Sequence, residues 1–204
     1  MKGAQLLWGE GLFLRPQHFQ LQDLHWNATA RQVLLSANPY AWGVRELEID
    51  RDALKNGVLR FNRVDVLFAN GDSLLAPEID QLPPPLALAD AVSEDGTTEF
   101  FLALHHLNPH GGNTADSQET ATQARYLSLP LEATDLFTDA AEAEVTTLSK
   151  ICRIKSASEP RDQYLTLPAA RIKRTASNGF EIDPSFLPPS LSLRSAPKIG
   201  RAHV

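Results

Sequence analysis

Residues 7–22, LWGEGLFLRPQHFQLQ, join an apolar arm to the start of a helix. Proline is favoured in the first helical turn, because its φ angle is already helical and its missing N–H would have no acceptor there. The sequence therefore predicts that a helix begins at Pro16. Gly9 and Gly11 lie on either side of Glu10 and allow the arm to bend sharply before the helix.

The arm and the first helical turn carry large apolar side chains close to a free terminus. These are Trp8, Leu12, Phe13, Leu14 and Phe19. Such a patch must be covered either by its own domain or by another protein. In the first case Trp8, Phe13 and Phe19 fill one end of the core. In the second case all five form an interface, since aromatic anchors are enriched at interface centres. The sequence leaves both alternatives open, and we take the five as candidate interface residues.

The helix that begins at Pro16 is predicted to continue to Ala37, because the segment contains no glycine and no second proline, and Asn38-Pro39 then supplies a stop. Phe19, Trp26, Ala30 and Val33 recur at steps of seven, four and three, which is typical of an amphipathic helix. Arg15 stands where a Ser, Thr, Asp or Asn cap is preferred.

After Pro39 the hydrophobic period changes to two, which indicates strands. Candidate strands lie at 44–50, 58–68, 73–75, 100–104, 125–131, 145–154, 164–168, 170–174 and 180–182. Asn70-Gly71-Asp72 and Asn178-Gly179 are typical hairpin turns. About eight or nine strands after one helix predict a mainly β chain, with an antiparallel β-sandwich or barrel. The proline-rich segment 183–193 is predicted to run extended across the surface.

Composition excludes several classes of protein. The chain has 204 residues and a net charge of −6, so no broad nucleic-acid-binding surface is implied. Cys152 is the only cysteine, which excludes an internal disulfide and suits a reducing compartment. No apolar run approaches the roughly 18 residues that span a bilayer. The N-terminus also lacks the continuous apolar region of a signal peptide.

Three histidines suggest a metal site, because His105, His106 and His110 lie within six residues of one another. Adjacent residues of a strand point to opposite faces, however, so a strand end followed by a turn is favoured. Gly111-Gly112-Asn113 lacks the lysine and helix of a phosphate-binding loop and is also interpreted as a turn. We therefore predict no catalytic residue, no metal and no cofactor, with residues 108–122 as an exposed loop.

Charge is distributed unevenly along the second half of the chain. The acidic residues come first, at Glu132, Asp135, Asp139, Glu142 and Glu144. The basic residues follow, at Lys150, Arg153, Lys155, Arg161, Arg171, Lys173 and Arg174. Either these residues form solvated strand surface with pairing inside the chain, or the asymmetry orients docking between subunits.

Several short motifs occur along the chain in a fixed order. They are Trp8 with FL.PQ.FQ over residues 13–20, AWGV at 41–44, LAL at 102–104 running into Leu107-Asn108, GGN at 111–113, and FLPP at 186–189 followed by Leu191 and Leu193. Together they resemble the N-terminal part of the TssK family of type VI secretion baseplate subunits, from the arm to the proline-rich segment.

The resemblance implies a β-sandwich shoulder domain like those of phage receptor-binding proteins. It also implies a structural, non-enzymatic subunit that forms homotrimers in its full-length form and docks onto the wedge proteins TssF and TssG. A C-terminal head would contact TssL and TssM, and the protein would lie in the cytoplasm at the inner membrane. The alternatives are a ligand- or carbohydrate-binding β-sandwich that uses the 108–122 loop, and a metal hydrolase centred on the histidines.

The same resemblance suggests a division of the chain. Residues 1–182 are expected to form the shoulder domain, and residues 183–197 an extended linker toward a helical neck. Residues 198–204, KIGRAHV, lack periodicity and caps, and are expected to be a non-native tail on a chain truncated before the neck and head.

Overall fold

The computed structural model describes residues 3–92, 96–118, 121–138, 142–176 and 179–192. These ranges contain two helices and twelve strands. In chain order they are α1 (Pro16–Ala37), β1 (Gly43–Ile49), α2 (Arg51–Lys55), β2 (Val58–Leu59), β3 (Phe61–Leu67), β4 (Ser73–Ala76), β5 (Leu86–Ala87), β6 (Thr97–His105), β7 (Thr114–Ala115), β8 (Tyr126–Ala133), β9 (Ala143–Lys150), β10 (Cys152–Ser156), β11 (Tyr164–Arg174) and β12 (Phe180–Ile182).

Two antiparallel sheets enclose the main core, one with strand order β1-β3-β4 and the other with order β10-β6-β11-β12. The core contains large side chains of both sheets that are almost completely buried, including Phe61, Val64, Leu74, Phe100, Leu102, Leu167 and Ile172. The predicted mainly β chain with an antiparallel sandwich is therefore confirmed.

Strand β6 shows why these residues form this fold. Its run Phe100 to Leu104 is apolar on both faces, which is typical of an interior strand. It pairs with β10 on one side and β11 on the other. The β3–β4 turn was also predicted correctly, and Gly71 adopts there a φ angle of 87° that glycine tolerates best.

A smaller sheet of order β7-β8-β9 continues from the sandwich, and its strands β8 and β9 form a long antiparallel hairpin. A second cluster of Ala121, Ala124, Leu127 and Ile151 lies at its base. Asp80, which follows β4, fastens the base to the sandwich, since its buried carboxylate accepts hydrogen bonds from the N–H groups of Leu75 (3.2 Å) and Lys150 (2.8 Å).

After β12 the chain returns to β1. Val44 donates its N–H to the carbonyl of Pro189 (2.7 Å), and Leu191 donates to the carbonyl of Val44 (2.8 Å). The prediction of an extended path for this proline-rich segment agrees with the described part, up to residue 192. Residues 193–204, including the expected tail, lie outside the described residues.

Five local predictions were incomplete. The single strand predicted at 58–68 is two strands, β2 and β3, of different sheets. Helix α2 was missed, because five residues are too few to show a period; Asp50 caps it by accepting from the N–H groups of Asp52 and Ala53. The single strand predicted at 145–154 is two strands of different sheets, separated at the buried Ile151.

Strand β11 continues through Pro168, where a kink between two strands was predicted, because a register shift between Pro168 and Ala170 absorbs the proline. The predicted 108–122 loop contains the short strand β7, and its Ala121 is buried. The predicted turn residue Asn178 lies outside the described residues, whereas the pairing of β11 with β12 is present.

Candidate functional site: an apolar surface on the arm and first helix

Helix α1 begins at Pro16, as predicted, and its first turn has a partial substitute for the missing cap. The Nδ1 atom of His18 accepts a hydrogen bond from the backbone N–H of Arg15 (3.0 Å), one of the donors that a helix start leaves unpaired. The helix ends as the N–H of Asn38 donates to the carbonyl of Leu34 (2.9 Å). Over all 22 residues it contains no buried residue.

The arm folds back along α1. The Nδ1 atom of His25 lies 2.8 Å from the carbonyl oxygen of Gly3, and the backbone of Gly3 lies close to Ala28. The indole ring of Trp8 lies 6.2 Å from the ring of His18. The arm and the helix thus form one unit, and the side chain of Arg31 contacts Gly71 in the β3–β4 turn of the sandwich.

The five candidate interface residues are all exposed. Trp8, Leu12, Phe13, Leu14 and Phe19 have between 39% and 81% of their surface accessible. None belongs to either buried cluster. The alternative that Trp8, Phe13 and Phe19 fill one end of the sandwich core is therefore wrong for this chain by itself.

Further apolar side chains extend this patch along the helix. Trp26 is 61% exposed and Val33 is 65% exposed. Because they follow Phe19 at helical spacing, they lie on the same side of α1. The predicted apolar stripe exists, but it faces away from the sandwich. We call the set of Leu7, Trp8, Leu12, Phe13, Leu14, Phe19, Trp26 and Val33 the arm–helix surface.

Leu7, Trp26 and Val33 were not among the candidate interface residues. The helical period already placed Trp26 and Val33 on the side of Phe19, so that signal could have included them. No comparable pattern identified Leu7, which is exposed beside Trp8.

The arm–helix surface consists of apolar side chains. Large exposed apolar patches are typical of surfaces that another molecule covers. Leu21, Leu24 and Leu35 of α1 are half-buried, but the side with Phe19, Trp26 and Val33 lacks the apolar packing from which helices in water derive most of their stability. A partner that covers the arm–helix surface would supply it.

The histidine region has the geometry of a strand end. His105 is buried, its Nε2 atom lies 3.2 Å from the carbonyl of Thr122, and its ring lies 4.0 Å from that of Tyr164. Burial lowers the pKa of the His105 imidazole. His106 is exposed, so the two side chains point apart as predicted. Within the described ranges, no group of three or more His, Cys, Asp or Glu residues could hold a metal ion.

Gly111 and Gly112 form a turn, with φ angles of 97° and 70°. The side chain of Asn113 closes this turn, accepting from the N–H of Asn108 and donating to its carbonyl, both at 2.8 Å. Cys152 is buried as predicted for a small core residue, and burial raises the pKa of its thiol to about 12. No helix in the described part of the chain is long and apolar enough to cross a membrane.

The acidic and basic groups of the second half do not pair with one another in the described residues. The basic side chains that form ion pairs do so with other carboxylates, such as Arg171 with Glu99 (2.5 Å) and Lys173 with Glu181 (2.9 Å). The acids Glu132, Asp135, Glu142 and Glu144 lie on the β8–β9 hairpin and have no cationic partner among those residues. Intrachain pairing is therefore confirmed for Lys150, Lys155, Arg171 and Lys173, whose partners lie outside the acidic group.

Comparisons with known proteins give a consistent picture. Residues 18–203 match the family model described as Bacterial Type VI secretion, VC_A0110, EvfL, ImpJ, VasE. The chain is 28% identical over 199 residues to the type VI secretion system baseplate component TssK1 of Pseudomonas aeruginosa PAO1, covering 96% of this chain and 44% of that protein.

Two solved structures share the fold over 98% of this chain. One is a chain of the type VI secretion TssK-TssF-TssG baseplate subcomplex, with a TM-score of 0.88, 31% identity and 66% of that chain covered. The other is a chain of the type VI secretion baseplate complex, with a TM-score of 0.86, 30% identity and 64% covered. The chain thus spans less than two thirds of the length of each of these three relatives.

Proposed function

Since this chain belongs to the bacterial type VI secretion family of VC_A0110, EvfL, ImpJ and VasE, we propose that it is a structural, non-enzymatic part of the type VI secretion baseplate. The relative from Pseudomonas aeruginosa is a baseplate component, and one solved relative is assembled with TssF and TssG. We infer that this chain likewise acts by holding partner proteins, and that TssF and TssG are those partners.

The arm–helix surface is the proposed contact with the TssF/TssG wedge. The observation that supports this most directly is a 22-residue helix without a buried residue, beside an arm whose largest apolar side chains are exposed. Full burial of a side chain such as Phe13 or Leu14 contributes roughly 1.5–3 kcal/mol. A few such anchors supply most of the binding energy of a typical protein interface.

In the full-length protein, the proposed assembly is a homotrimer whose residues 1–182 form the shoulder domain. Residues 183–197 lead toward a helical neck in this proposal, and a C-terminal head contacts TssL and TssM of the membrane complex. The protein would then lie in the cytoplasm, at the cytoplasmic face of the inner membrane. It would connect the baseplate to that membrane complex without entering the bilayer itself.

The double substitution of Phe13 and Leu14 by Asp tests the wedge contact. Both side chains are exposed, so the domain should stay folded. Two carboxylates in an apolar interface should reduce co-purification with TssF and TssG at least about tenfold, because charges buried without a partner are strongly disfavoured. The measurement is a pull-down of purified wedge proteins by the wild-type and substituted chains.

The matched control is Ile79→Asp, an exposed apolar residue in the turn after β4. It should leave co-purification unchanged. If the double variant, shown to be folded by circular dichroism, retains wild-type co-purification, the arm–helix surface does not bind the wedge. An unfolded double variant would show that Phe13 and Leu14 stabilise the domain in spite of their exposure.

A further inference from the structure

The β8–β9 hairpin presents a second exposed apolar patch at its tip. Leu136 is 86% exposed and Phe137 is 95% exposed. Asp135 holds the turn that presents them, because its carboxylate accepts from the N–H groups of Phe137 (2.8 Å) and Thr138 (3.1 Å) and from the Thr138 hydroxyl (2.8 Å). These hydrogen bonds also lower the pKa of Asp135. The turn backbone that presents these two large apolar side chains is thus ordered before any partner binds.

The hairpin that carries this tip is uniformly acidic. Between residues 126 and 149 the sequence has no lysine or arginine, but it has Glu132, Asp135, Asp139, Glu142 and Glu144. In the part of the hairpin that the structure describes, these carboxylates form no ion pair. A surface that receives the tip should therefore be apolar at its centre and positive at its rim.

A groove of about 800 Å³ on the same chain has an apolar centre. Its walls include Leu47 and Ile49 of β1, Phe180 and Ile182 of β12, and Leu187 of the returning segment. This volume lies within the range of pockets that hold a compact ligand, roughly 300–1,000 Å³, and two large side chains of a hairpin tip suit it.

The charges around the groove favour an acidic occupant. Its lining acids Glu181 and Asp183 are already paired with Lys173 and Arg171 respectively. Arg51, in the lining, and Arg174, which lies over the Phe180 ring, have no ion-pair partner among the described residues. Glu48 is the remaining acid of the lining, and it hydrogen-bonds Asn62. The free charge at the rim is therefore positive on balance.

The tip and the groove belong to opposite edges of the sandwich. The groove lies between β1 and β12, which are edge strands of the two sheets. The β8–β9 hairpin extends from the sandwich beside β4 and β10, which are the edge strands on the other side. There the carboxylate of Asp80 accepts a hydrogen bond from the N–H of Lys150. A hairpin that leaves from one edge cannot fill the groove on the far edge of its own sandwich, but it can reach the groove of a neighbouring copy.

We propose that Leu136 and Phe137 of one copy enter the β1–β12 groove of a second copy, with the acidic hairpin strands facing Arg51 and Arg174. Such a contact joins two different surfaces, so an open assembly of copies keeps one free tip and one free groove in total until a ring closes. The inference rests on the homotrimer proposed above, and it is independent of wedge docking by the arm–helix surface.

Sedimentation velocity over a range of protein concentrations tests the contact between tip and groove. Phe137→Asp disables the tip, and Leu187→Asp disables the groove. The wild-type chain should self-associate with increasing concentration. Each variant alone should associate at least about tenfold more weakly, because each lacks one half of every contact. A mixture of the two variants retains one intact tip and one intact groove and should form a one-to-one dimer.

Phe13→Asp combined with Leu14→Asp is the reciprocal control. It should lose wedge binding but associate with itself like the wild type, so the failure of one proposal is distinguishable from the failure of the other. A wild-type chain that stays monomeric at every concentration would overturn the proposed contact between tip and groove. So would a folded Phe137→Asp variant that self-associates normally, or a mixture in which no dimer forms. The exposure of Phe137 means that its substitution should not affect folding.

Discussion

Phe13 and Phe61 show that its surroundings determine whether a phenylalanine side chain is buried or exposed. Phe61 begins β3, where β1 pairs with the strand and the opposing sheet covers its inner face. Phe13 lies in the arm, which belongs to no sheet, and its ring is in water. Phe61 therefore contributes to folding, whereas Phe13 remains available for binding.

Gly43 is a residue that the local backbone requires. Its φ angle is 133°, and a Cβ atom there would lie 2.5 Å from the carbonyl oxygen of Pro189. Gly43→Ala should therefore lower the free energy of unfolding by about 2 kcal/mol or more, because the strained φ angle and the steric clash with Pro189 both destabilise the folded state. It should also speed amide hydrogen exchange at Leu191, whose N–H donates to Val44. Urea denaturation and hydrogen exchange measure the two effects.

Gly9→Ala is the matched control, because a Cβ atom at Gly9 meets nothing within 4 Å. It should leave stability within about 0.5 kcal/mol of the wild type, as most surface substitutions do. Equal stability of the two variants would show that the segment after β12 does not depend on its contact with β1.

Asp80 is the buried acid that joins the hairpin base to the sandwich. Asp80→Ala leaves the N–H groups of Leu75 and Lys150 without their acceptor, so unfolding should become easier by about 2–4 kcal/mol. Asp116→Ala removes an exposed carboxylate and should change stability by less than about 0.5 kcal/mol. Urea denaturation of both variants checks the difference, and similar values would contradict a fastening role for Asp80.

At the scale of the element, α1 was predictable in extent but not in surroundings. Pro16 and Asn38-Pro39 define its ends, and the period of Phe19, Trp26 and Val33 defines its apolar side. The period states which residues share a side, but it does not state whether the chain or another protein covers them. The short helix α2 was missed because five residues are too few to show a period. The break at Ile151 was missed because it depends on tertiary pairing that local patterns do not encode.

Removal of residues 1–37 tests whether the arm and α1 are independent of the core. Because α1 contains no buried residue, the remaining chain should unfold cooperatively, with a free energy within about 1 kcal/mol of the full chain. Its far-ultraviolet circular dichroism should lose helical signal and keep β signal. Loss of cooperative unfolding would mean that α1 stabilises the sandwich and is not reserved for a partner.

At the scale of the whole molecule, the sandwich is a scaffold that carries separate exposed surfaces. The arm–helix surface is apolar and lies on residues that precede the first strand, whereas the hairpin tip is acidic around its apolar centre. Such a distribution suits a subunit that holds several neighbours at once. The family and the sandwich were predictable from ordered motifs and strand periods, while the β1–β12 groove depends on contacts distant in sequence.

The most direct test of the account is hydrogen exchange of this chain, measured by mass spectrometry alone and with TssF and TssG. In the free chain, amides of α1 should exchange fast relative to those of β6, because α1 contains no fully buried residue and β6 lies inside the sandwich. With the wedge proteins bound, exchange over the arm and α1 should slow at least about tenfold. Binding that leaves exchange there unchanged, while protecting another surface, would contradict the proposed docking role.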